Sequence, residues 1–360
     1  IMSIFNSYSD TSPCRVMNTT VNPEAEQDQK LKNLLAQTNA PVNYTFRPFA
    51  QLVPPGFDGH PLTFDELADR SKGGLKRWAV LQMDVDNLGK LFEQGFTRVV
   101  NGQTENSLTL SRMAQLSFSL RLFFESWLPE LGEQEESYKG RLYLQYAGGD
   151  DLFVVGSWDA LPEFAQAIRQ SFAEFVGHHP GVTLSGGISL AGKKYPLYQA
   201  AHDAKNAENA AKSFERVTLR RDGGLRKKDA ISFLGQVVGW ENFGTIAARA
   251  HQLEAWCGED EELSKAVLQT LLSIHAEYKR GREQALKDGK WKPDQPYYGP
   301  WRWHLAYRLG RRIHHKDTPE EMKQELQQIE KDLLTGPEHI ETIGLAARWA
   351  QYLVRKERSN

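Results

Sequence analysis

Tyr146-Ala147-Gly148-Gly149-Asp150-Asp151-Leu152-Phe153 is the run that most sharply indicates the fold, because two glycines lead directly into two aspartates. Alternating apolar residues precede this run and further apolar residues follow it, which predicts the tip of a hairpin between buried strands. Glycine permits tight-turn conformations and lets a ligand approach the main chain. Two neighbouring carboxylates repel each other, and Mg²⁺ or Mn²⁺ would relieve that repulsion. A solvated turn is the alternative for the tetrapeptide alone.

A second acidic cluster follows another apolar run of strand length. Trp78–Met83 is apolar apart from one glutamine, and Asp84-Val85-Asp86-Asn87-Leu88-Gly89-Lys90 comes directly after it. A strand that ends in Asp-x-Asp before a turn and a helix places carboxylates at the edge of a sheet, where ligands bind in open α/β folds. Two such strand ends can hold two cations about 3.5–4 Å apart, the arrangement used for in-line phosphoryl and nucleotidyl transfer.

These motifs together resemble a known family. Met83–Lys90, Leu110-Ser111-Arg112 and Gly148–Asp151 resemble the second palm domain of the large subunit of type III CRISPR effector complexes. Upstream, Arg47–Ala50 and Leu62–Ala68 resemble that subunit's lead-in and favour the Csm-type (III-A) branch over the Cmr-type branch. The resemblance implies an α/β (α+β) nucleotide-cyclase-like palm domain followed by an all-α helical bundle. It also implies synthesis of cyclic oligoadenylates from ATP, triggered by target RNA.

The resemblance implies roles for the acidic residues. Asp84 and Asp150 would hold two Mg²⁺ or Mn²⁺ ions, with the Val85 carbonyl as a further ligand, while Asp151 would join them or orient Asp150. One ion would lower the pKa of an ATP 3′-hydroxyl and the other would hold the triphosphate. The nucleotide-binding candidates are the following residues: Val85, Asp86, Asn87, Gly89, Lys90, Ser111, Gly148, Gly149 and Lys212.

Three polar side chains among these candidates have competing interpretations. Ala211-Lys212 resembles the Ala-Lys that ends the matching helix of diguanylate cyclases and approaches triphosphate oxygens; a solvated lysine is the alternative. Lys205 lies on the same helix face, and Lys90 follows the first acidic strand end. Ser111 lies where family members read the base edge, although a helix N-cap would explain a serine equally well.

Composition limits the remaining classes. The 360 residues carry a formal net charge of −2, so contacts with nucleic acid would need local basic patches. Two cysteines, Cys14 and Cys257, cannot form a disulfide framework or a four-cysteine zinc site, and the zinc cluster of many family members is missing. With no transmembrane run or signal peptide visible, a cytoplasmic location is expected.

Three regions are expected along the chain. Residues 1–74 form a polar lead-in with a short helix near Glu24–Ala36, residues 75–232 form the palm, and residues 233–360 form a bundle of four or five helices that starts near Trp240. The expected palm elements are strands at Leu75–Met83 and Val182–Leu190, helices at Leu88–Gly95, Leu108–Leu128, Trp158–Val176 and Pro196–Phe214, and a hairpin around Asp222-Gly223-Gly224.

The bundle is similar to the small helical subunit that lines the RNA filament in these complexes. Its strongest basic cluster consists of Arg302, Arg308, Arg311, Arg312, His314, His315 and Lys316. This cluster is either a solvated helix face or a contact with RNA phosphate or a neighbouring subunit. The partners that the resemblance implies are guide RNA, target RNA and other Csm-type subunits, namely the repeat-like subunit at the guide 5′ end and the small helical subunit; no membrane is implied.

Two other functions remain open: a stand-alone nucleotide (diguanylate-type) cyclase and a non-enzymatic scaffold that binds RNA and subunits. Against the first, Asp151 stands where diguanylate cyclases carry glutamate. The family's N-terminal HD nuclease and first palm are not expected in this chain, since His202-Asp203 lies within a predicted helix without partner histidines. Ile1-Met2 suggests a tag, a truncation or further upstream sequence. A partner palm is therefore expected from upstream sequence, from another chain or from a homodimer of this chain.

Overall fold

A computed structural model describes residues 52–56, 60–95, 97–100, 103–219, 225–259, 261–292, 295–336 and 339–355. The helix expected near Glu24–Ala36, the Arg47–Ala50 motif, Cys14 and the turn at Asp222-Gly223-Gly224 lie outside these residues. Cys257 is buried. Among the described residues, no helix is both long and apolar enough to cross a membrane.

The centre of the α/β region is a six-stranded sheet. Its strands are β1 Trp78–Val85, β4 Leu142–Gly148, β5 Asp151–Ser157, β6 Leu184–Ala191, β9 Ala230–Phe233 and β10 Gln236–Gly239, and they lie in the order β10-β9-β6-β1-β5-β4. Only the β6–β9 pair is parallel. Two separate hairpins pair β2 Thr97–Val100 with β3 Gln103–Asn106, and β7 Glu215–Leu219 with β8 Leu225–Lys227.

The hairpin expected at the Gly-Gly-Asp-Asp run is confirmed. Gly148 pairs with Asp151 across β4 and β5, so Gly149 and Asp150 form the turn. Gly149 has φ +70°, a conformation that glycine adopts without steric penalty. The two aspartates are thereby held at the end of a rigid sheet.

The helices fall into two groups. The α/β region contains α1 Phe64–Asp69, α2 Leu88–Gln94, α3 Leu110–Arg121, α4 Leu128–Leu131, α5 Leu161–Phe175 and α6 Leu197–Lys212. The bundle contains α7 Trp240–Glu259, α8 Glu261–Lys287, α9 Trp301–Ile313, α10 Glu320–Thr335 and α11 His339–Val354. The fold expected from the sequence, an α/β palm followed by an all-α bundle, is therefore confirmed.

The sequence-based expectation did not include α1, which lies in the expected lead-in, or the β2–β3 hairpin, and two further elements differ from it. The helix expected over Leu108–Leu128 is interrupted by a π-helical segment, Leu122–Trp127, between α3 and α4. The sheet also continues past residue 232 through β9 and β10, which are joined by a turn at Leu234 (φ 49°) and Gly235 (φ 75°). A leucine in a left-handed conformation is rare, so the sequence gives little sign of this hairpin.

Strand β1 is buried on both faces, and its alternation orients the site. Trp78 and Val80 pack in a cluster with residues of α1 and α6, whereas Leu81 and Met83 lie in the larger core that continues into the bundle. Because successive side chains of a strand point to opposite faces, Asp84 shares the α6 side with Val80. The packing that buries the strand therefore also points the Asp84 carboxylate towards α6.

His251 on α7 links the bundle to the α/β region. Its Nε2 lies 3.4 Å from Glu163 Oε1 on α5, and its Nδ1 lies 3.1 Å from Glu254 Oε2. Hydrogen bonds to these carboxylates raise the pKa of His251 to about 9. The folded chain therefore binds this proton more tightly than the unfolded chain does.

We expect His251→Gln to remove part of the pH dependence of stability. Since the folded-state pKa is the higher one, the stabilisation is complete below about pH 6.5 and is lost as the pH rises towards about 9. The imidazole is 45% exposed, so solvent screening keeps the effect small. Thermal melts should show that the wild-type Tm falls by a few degrees more than the variant's Tm over this range. Parallel Tm-against-pH curves would contradict the assignment.

Candidate active site

The sheet brings together two acidic motifs that are far apart in sequence. Asp84, near the end of β1, is the direct cross-strand partner of Asp151 at the start of β5. The Val85 amide donates a hydrogen bond to the carbonyl of Asp150, at 2.8 Å, which ties the end of β1 to the turn. The three predicted catalytic aspartates, Asp84, Asp150 and Asp151, therefore lie at one edge of the sheet, which is formed by the ends of its inner strands.

Helix α6 supplies a lysine to this edge. The Lys212 Nζ lies 2.8 Å from Asp84 Oδ1 and 2.9 Å from Glu208 Oε1. Lys205 Nζ contacts both carboxylate oxygens of the same Glu208, each at 2.9 Å. The helix approaches this closely because Gly187 of β6 lies beneath it, where a Cβ atom would be only 2.2 Å from the Glu208 amide nitrogen. Lys212 is thus located beside the acidic edge, and its contact with a triphosphate stays a prediction.

The carboxylates at this edge disfavour each other's ionisation. Burial raises the pKa of Asp84, and the nearby Glu208 and Asp150 charges act in the same direction, although Lys212 opposes them. Burial and the Asp150 charge likewise raise the pKa of Asp151. Burial alone would lower the pKa of Lys212, but its ion pairs with Asp84 and Glu208 outweigh burial and raise it. Additional positive charge would therefore bind favourably here.

Asp86 differs from its expected role. Its amide donates to the Thr183 carbonyl at 2.7 Å, so this N–H is used inside the fold and is not offered to a phosphate. Its carboxylate is buried, and Oδ2 accepts hydrogen bonds from the Thr183 and Ser185 hydroxyls and from the Asp229 amide. Asp86 is a structural anchor between β1, β6 and the segment before β9.

The residues that follow Asp86, from Asn87 to Lys90, border an open surface. Asn87 has φ 61° and precedes α2 without capping it through its side chain, and its carbonyl accepts from the Leu91 amide. Gly89 and Lys90 are exposed, and a Cβ atom at Gly89 would meet nothing within 4 Å. A ligand could approach the main chain of this turn closely.

Ser111 is exposed and does not cap its helix. The N-cap of α3 is Thr109, whose hydroxyl accepts from the Arg112 amide at 3.3 Å. The N-cap explanation for Ser111 is therefore wrong, and its hydroxyl is not used for that purpose. Reading of a base edge by Ser111 stays a prediction.

Tyr146 stands beside the acidic turn and is a residue that the sequence reasoning did not select. Its hydroxyl donates to the Gly148 carbonyl at 3.1 Å, and the side chain is 53% exposed. Burial and the Asp151 charge raise its pKa. A Cβ atom at Gly149 would meet no atom within 4 Å, so the tip of the turn is open to a ligand.

The oxygen donors at this edge fit Mg²⁺ or Mn²⁺ in chemical type, since both ions prefer carboxylate and carbonyl ligands. Burial, together with the neighbouring Asp150 charge, raises the pKa of Asp84 and of Asp151, and a cation would favour their ionised forms. Across the described part of the chain, however, no three His, Cys, Asp or Glu side chains already converge on one point. A cation would therefore need further oxygens from a bound ligand, as magnesium sites commonly do.

The His202-Asp203 pair lies on α6, and its side chains are 75% and 45% exposed. Asp203 accepts a hydrogen bond from the Tyr195 hydroxyl at 2.7 Å, and His202 Nδ1 lies 3.2 Å from Asn206 Nδ2. These contacts are local to the exposed side of the helix. His202 and Asp203 therefore belong to a polar, exposed helix surface.

Glu208 is a second residue of the site that the sequence reasoning missed. Its side chain is only 1% exposed, and it binds two lysines that were both singled out. The spacing of Lys205, Glu208 and Lys212 places all three on one helix face, which was the available signal. Glutamate in an alanine-rich helix is otherwise unremarkable, so only the burial reveals its role.

We expect Glu208→Gln to weaken the binding of a divalent cation to this edge. The substitution keeps the side-chain shape but removes one of the four negative charges that face Lys205 and Lys212. One charge at this range alters the affinity for a cation by about threefold to tenfold. Titration of the chain with Mn²⁺ alone, followed by calorimetry, measures the change. Lys205→Gln is the matched control: it removes a positive charge from the same network and should strengthen Mn²⁺ binding. The same Mn²⁺ affinity in both variants would contradict this charge argument.

The palm region of this chain is similar to known proteins. A family model described as "Cas10/Cmr2, second palm domain" matches residues 77–219. A Methanocaldococcus jannaschii protein named "CRISPR system single-strand-specific deoxyribonuclease Cas10/Csm1 (subtype III-A)" is 38% identical over 163 residues, which cover 42% of this chain and 19% of that protein. The Streptococcus thermophilus protein of the same name is 40% identical over 146 residues, covering 41% of this chain and 18% of that protein.

Solved structures show the same fold. A Csm1-Csm4 cassette in complex with cA4 superposes with a TM-score of 0.60 at 19% identity, over 86% of this chain and 41% of that chain. The cassette in complex with one ATP gives a TM-score of 0.59 at 19% identity, over 86% of this chain and 40% of that chain. The chain thus spans less than half the length of the proteins that it matches here.

Proposed function

We propose that this chain, which matches the Cas10/Csm1 family in its second palm domain, acts within a type III-A CRISPR effector complex by converting ATP to cyclic oligoadenylates. The observation that carries this proposal is that Asp84 pairs across the sheet with Asp151, next to Asp150 in the turn, and that Lys212 lies beside Asp84. Solved relatives bound to ATP or cA4 support adenine nucleotides as the ligand class.

In this proposal, Asp84, Asp150 and Asp151 hold Mg²⁺ or Mn²⁺, with the Val85 carbonyl as a further oxygen donor. The ions would supply activation of a 3′-hydroxyl and charge neutralisation on the triphosphate. The main chain around Asn87 and Gly89 and the exposed Lys90 are available to phosphate oxygens from the open side of the turn.

Lys212 contributes positive charge where the triphosphate would lie. Its ammonium group neutralises Asp84 in this structure, and it is close enough to turn towards phosphate oxygens when a cation binds Asp84. In each condensation a ribose 3′ oxygen attacks an α-phosphorus, the bond to the β-phosphate oxygen breaks, and pyrophosphate leaves. A positive charge beside the leaving pyrophosphate stabilises the negative charge that develops on it in the transition state. The hydroxyl proton passes to solvent, so no side-chain base is needed.

We further propose that the chain associates with other Csm-type subunits, guide RNA and target RNA. A structural neighbour was solved as a Csm1-Csm4 subcomplex of the type III-A CRISPR-Csm interference complex. The curated relatives are named deoxyribonucleases. That name describes those proteins, and our proposal is limited to nucleotide synthesis and association with the complex.

The substrate assignment predicts that ATP is consumed and GTP is not. The assay incubates the complex reconstituted around this chain with matched target RNA, Mg²⁺ and either labelled ATP or labelled GTP. We expect at least a hundredfold preference for ATP, because a site that hydrogen-bonds one base edge rejects the wrong donor pattern strongly. Comparable consumption of GTP would favour a diguanylate-type cyclase. No consumption of either nucleotide would favour a scaffold that binds RNA and subunits.

A further inference from the structure

The outward face of α9 carries an aromatic row, which we define as Trp303, Tyr307 and Arg311. These residues recur every fourth position and therefore lie along one side of the helix. Trp303 is 64% exposed and Tyr307 is 63% exposed. The opposite side of the helix is buried and consists of Trp301, Leu305, Leu309 and Ile313. The row thus faces away from the bundle core.

Exposure of such large rings requires an explanation, because aromatic side chains usually contribute to cores and interfaces. Among the described residues of the bundle, the exposed large apolar side chains are Leu286, Tyr298, Trp303 and Tyr307. Three of the four are aromatic, and all three lie on α9 or directly before it. The surface therefore offers flat π faces and not the aliphatic groove that would suit a partner helix.

Cations accompany the rings. The Arg311 guanidinium lies 5.9 Å from the centre of the Tyr307 ring, and the Arg302 guanidinium lies 5.0 Å from that of Tyr298. Arg308 is exposed beside the row, and His314, His315 and Lys316 are exposed just past the end of the helix. Asp317 is the one acid between residues 301 and 317, and Glu277 of α8 contacts His304, so basic side chains predominate around the row.

The basic cluster expected from the sequence is divided by the fold. Arg302 donates to the Leu334 carbonyl at 2.6 Å and so braces α9 against α10. Arg308 donates to the Ser273 hydroxyl on α8 at 2.8 Å. Of the helix arginines, Arg311 is the one in line with the exposed rings.

We propose that the aromatic row binds single-stranded nucleic acid, with unpaired bases stacking on Trp303 and Tyr307 and phosphates contacting Arg311. Aromatic rings combined with a positively charged surface are the usual means of holding single strands, because every base has a π face. An acidic protein surface would match the charge but would not require the exposed rings. The inference deepens the proposed association with RNA, yet it does not depend on nucleotide synthesis.

The test measures the binding of fluorescein-labelled single-stranded RNA of mixed sequence to the full chain by fluorescence anisotropy at low salt. Trp303→Ala with Tyr307→Ala should weaken binding at least tenfold, since each stacked base contributes appreciably to affinity. The single variant Trp303→Phe keeps an aromatic ring and should retain most of the wild-type affinity. Arg311→Gln should reduce the slope of log affinity against log salt by about 1.

Leu286→Ala is the matched control, because it removes an exposed apolar side chain elsewhere on the bundle and should leave RNA affinity unchanged. Duplex RNA of equal length should bind more weakly, and single-stranded DNA distinguishes base stacking from recognition of the 2′-hydroxyl. Wild-type affinity in the Trp303→Ala, Tyr307→Ala variant would overturn the proposal. Equal binding of duplex, or no RNA binding by the wild-type chain, would also overturn it, and an acidic protein partner would then be the better candidate. Because no step measures catalysis, failure here leaves the proposed synthesis untouched.

Discussion

Replacing Asp150 and Asp151 by asparagine should abolish oligoadenylate synthesis by the assembled complex while complex assembly is retained. Both side chains lie at the tip of the β4–β5 hairpin, and Asp151 faces Asp84 across the sheet. Loss of their charges removes the means of holding the cations, which should cost about 3–5 kcal/mol in the transition state and lower the rate by about 10²–10⁴-fold. Release of labelled pyrophosphate from ATP measures the effect.

A folding defect can be separated from this loss of activity. Burial and the Asp150 charge raise the pKa of Asp151, so its ionised form is less favourable in the folded chain than in the unfolded one at neutral pH. Asparagine removes that unfavourable charge, and the double variant should melt at or above the wild-type temperature. Asp203→Asn, on the exposed side of α6, is the matched control and should keep full activity. Near-wild-type synthesis by the double variant would exclude the proposed site.

The second large effect concerns the number of palms. The 360-residue chain alone should form no cyclic oligoadenylate, because an attacking and an attacked ATP both need a binding surface and the described residues contain one palm sheet. Holding both nucleotides together contributes up to about 7–11 kcal/mol through effective molarity, and this contribution is lost without a second palm. The measurement is product formation by the purified chain as its concentration is varied.

A symmetric homodimer is the competing possibility. In that case the specific activity of the purified chain would rise steeply with protein concentration, and the requirement for another palm would be met by a second copy. We expect a flat, near-zero profile, together with weak binding of ATP that is detectable by calorimetry. Robust synthesis that increases with concentration would reject the requirement for a different palm.

Local sequence patterns predicted much of the palm correctly. The alternation before Gly148 and the paired glycines specified the β4–β5 hairpin, and the apolar run that begins at Trp78 specified β1. The β9–β10 hairpin was missed because its strands have four residues each and its turn places Leu234 in a left-handed conformation. Such a turn is set by the tertiary pairing of β9 with β6, which local propensity does not report.

The candidate site could be predicted only in part, for a similar reason. Asp84 and Asp150 follow from their positions at strand ends, but the burial of Asp86 depends on Thr183, Ser185 and Asp229, which are far away in sequence. Glu208 is likewise explained only by its burial between two lysines. Motifs identify the residues that can bind a ligand, whereas the tertiary structure decides which of them are used within the fold.

The most direct test of the central claim is a crystal structure of this chain with Mn²⁺ and a non-hydrolysable ATP analogue, with data collected at the manganese absorption edge. We expect anomalous density beside the Asp84 and Asp150 carboxylates, the triphosphate along the open turn at Gly89, and Lys212 released from Asp84. Manganese and nucleotide bound elsewhere, with the Lys212–Asp84 ion pair intact, would contradict it.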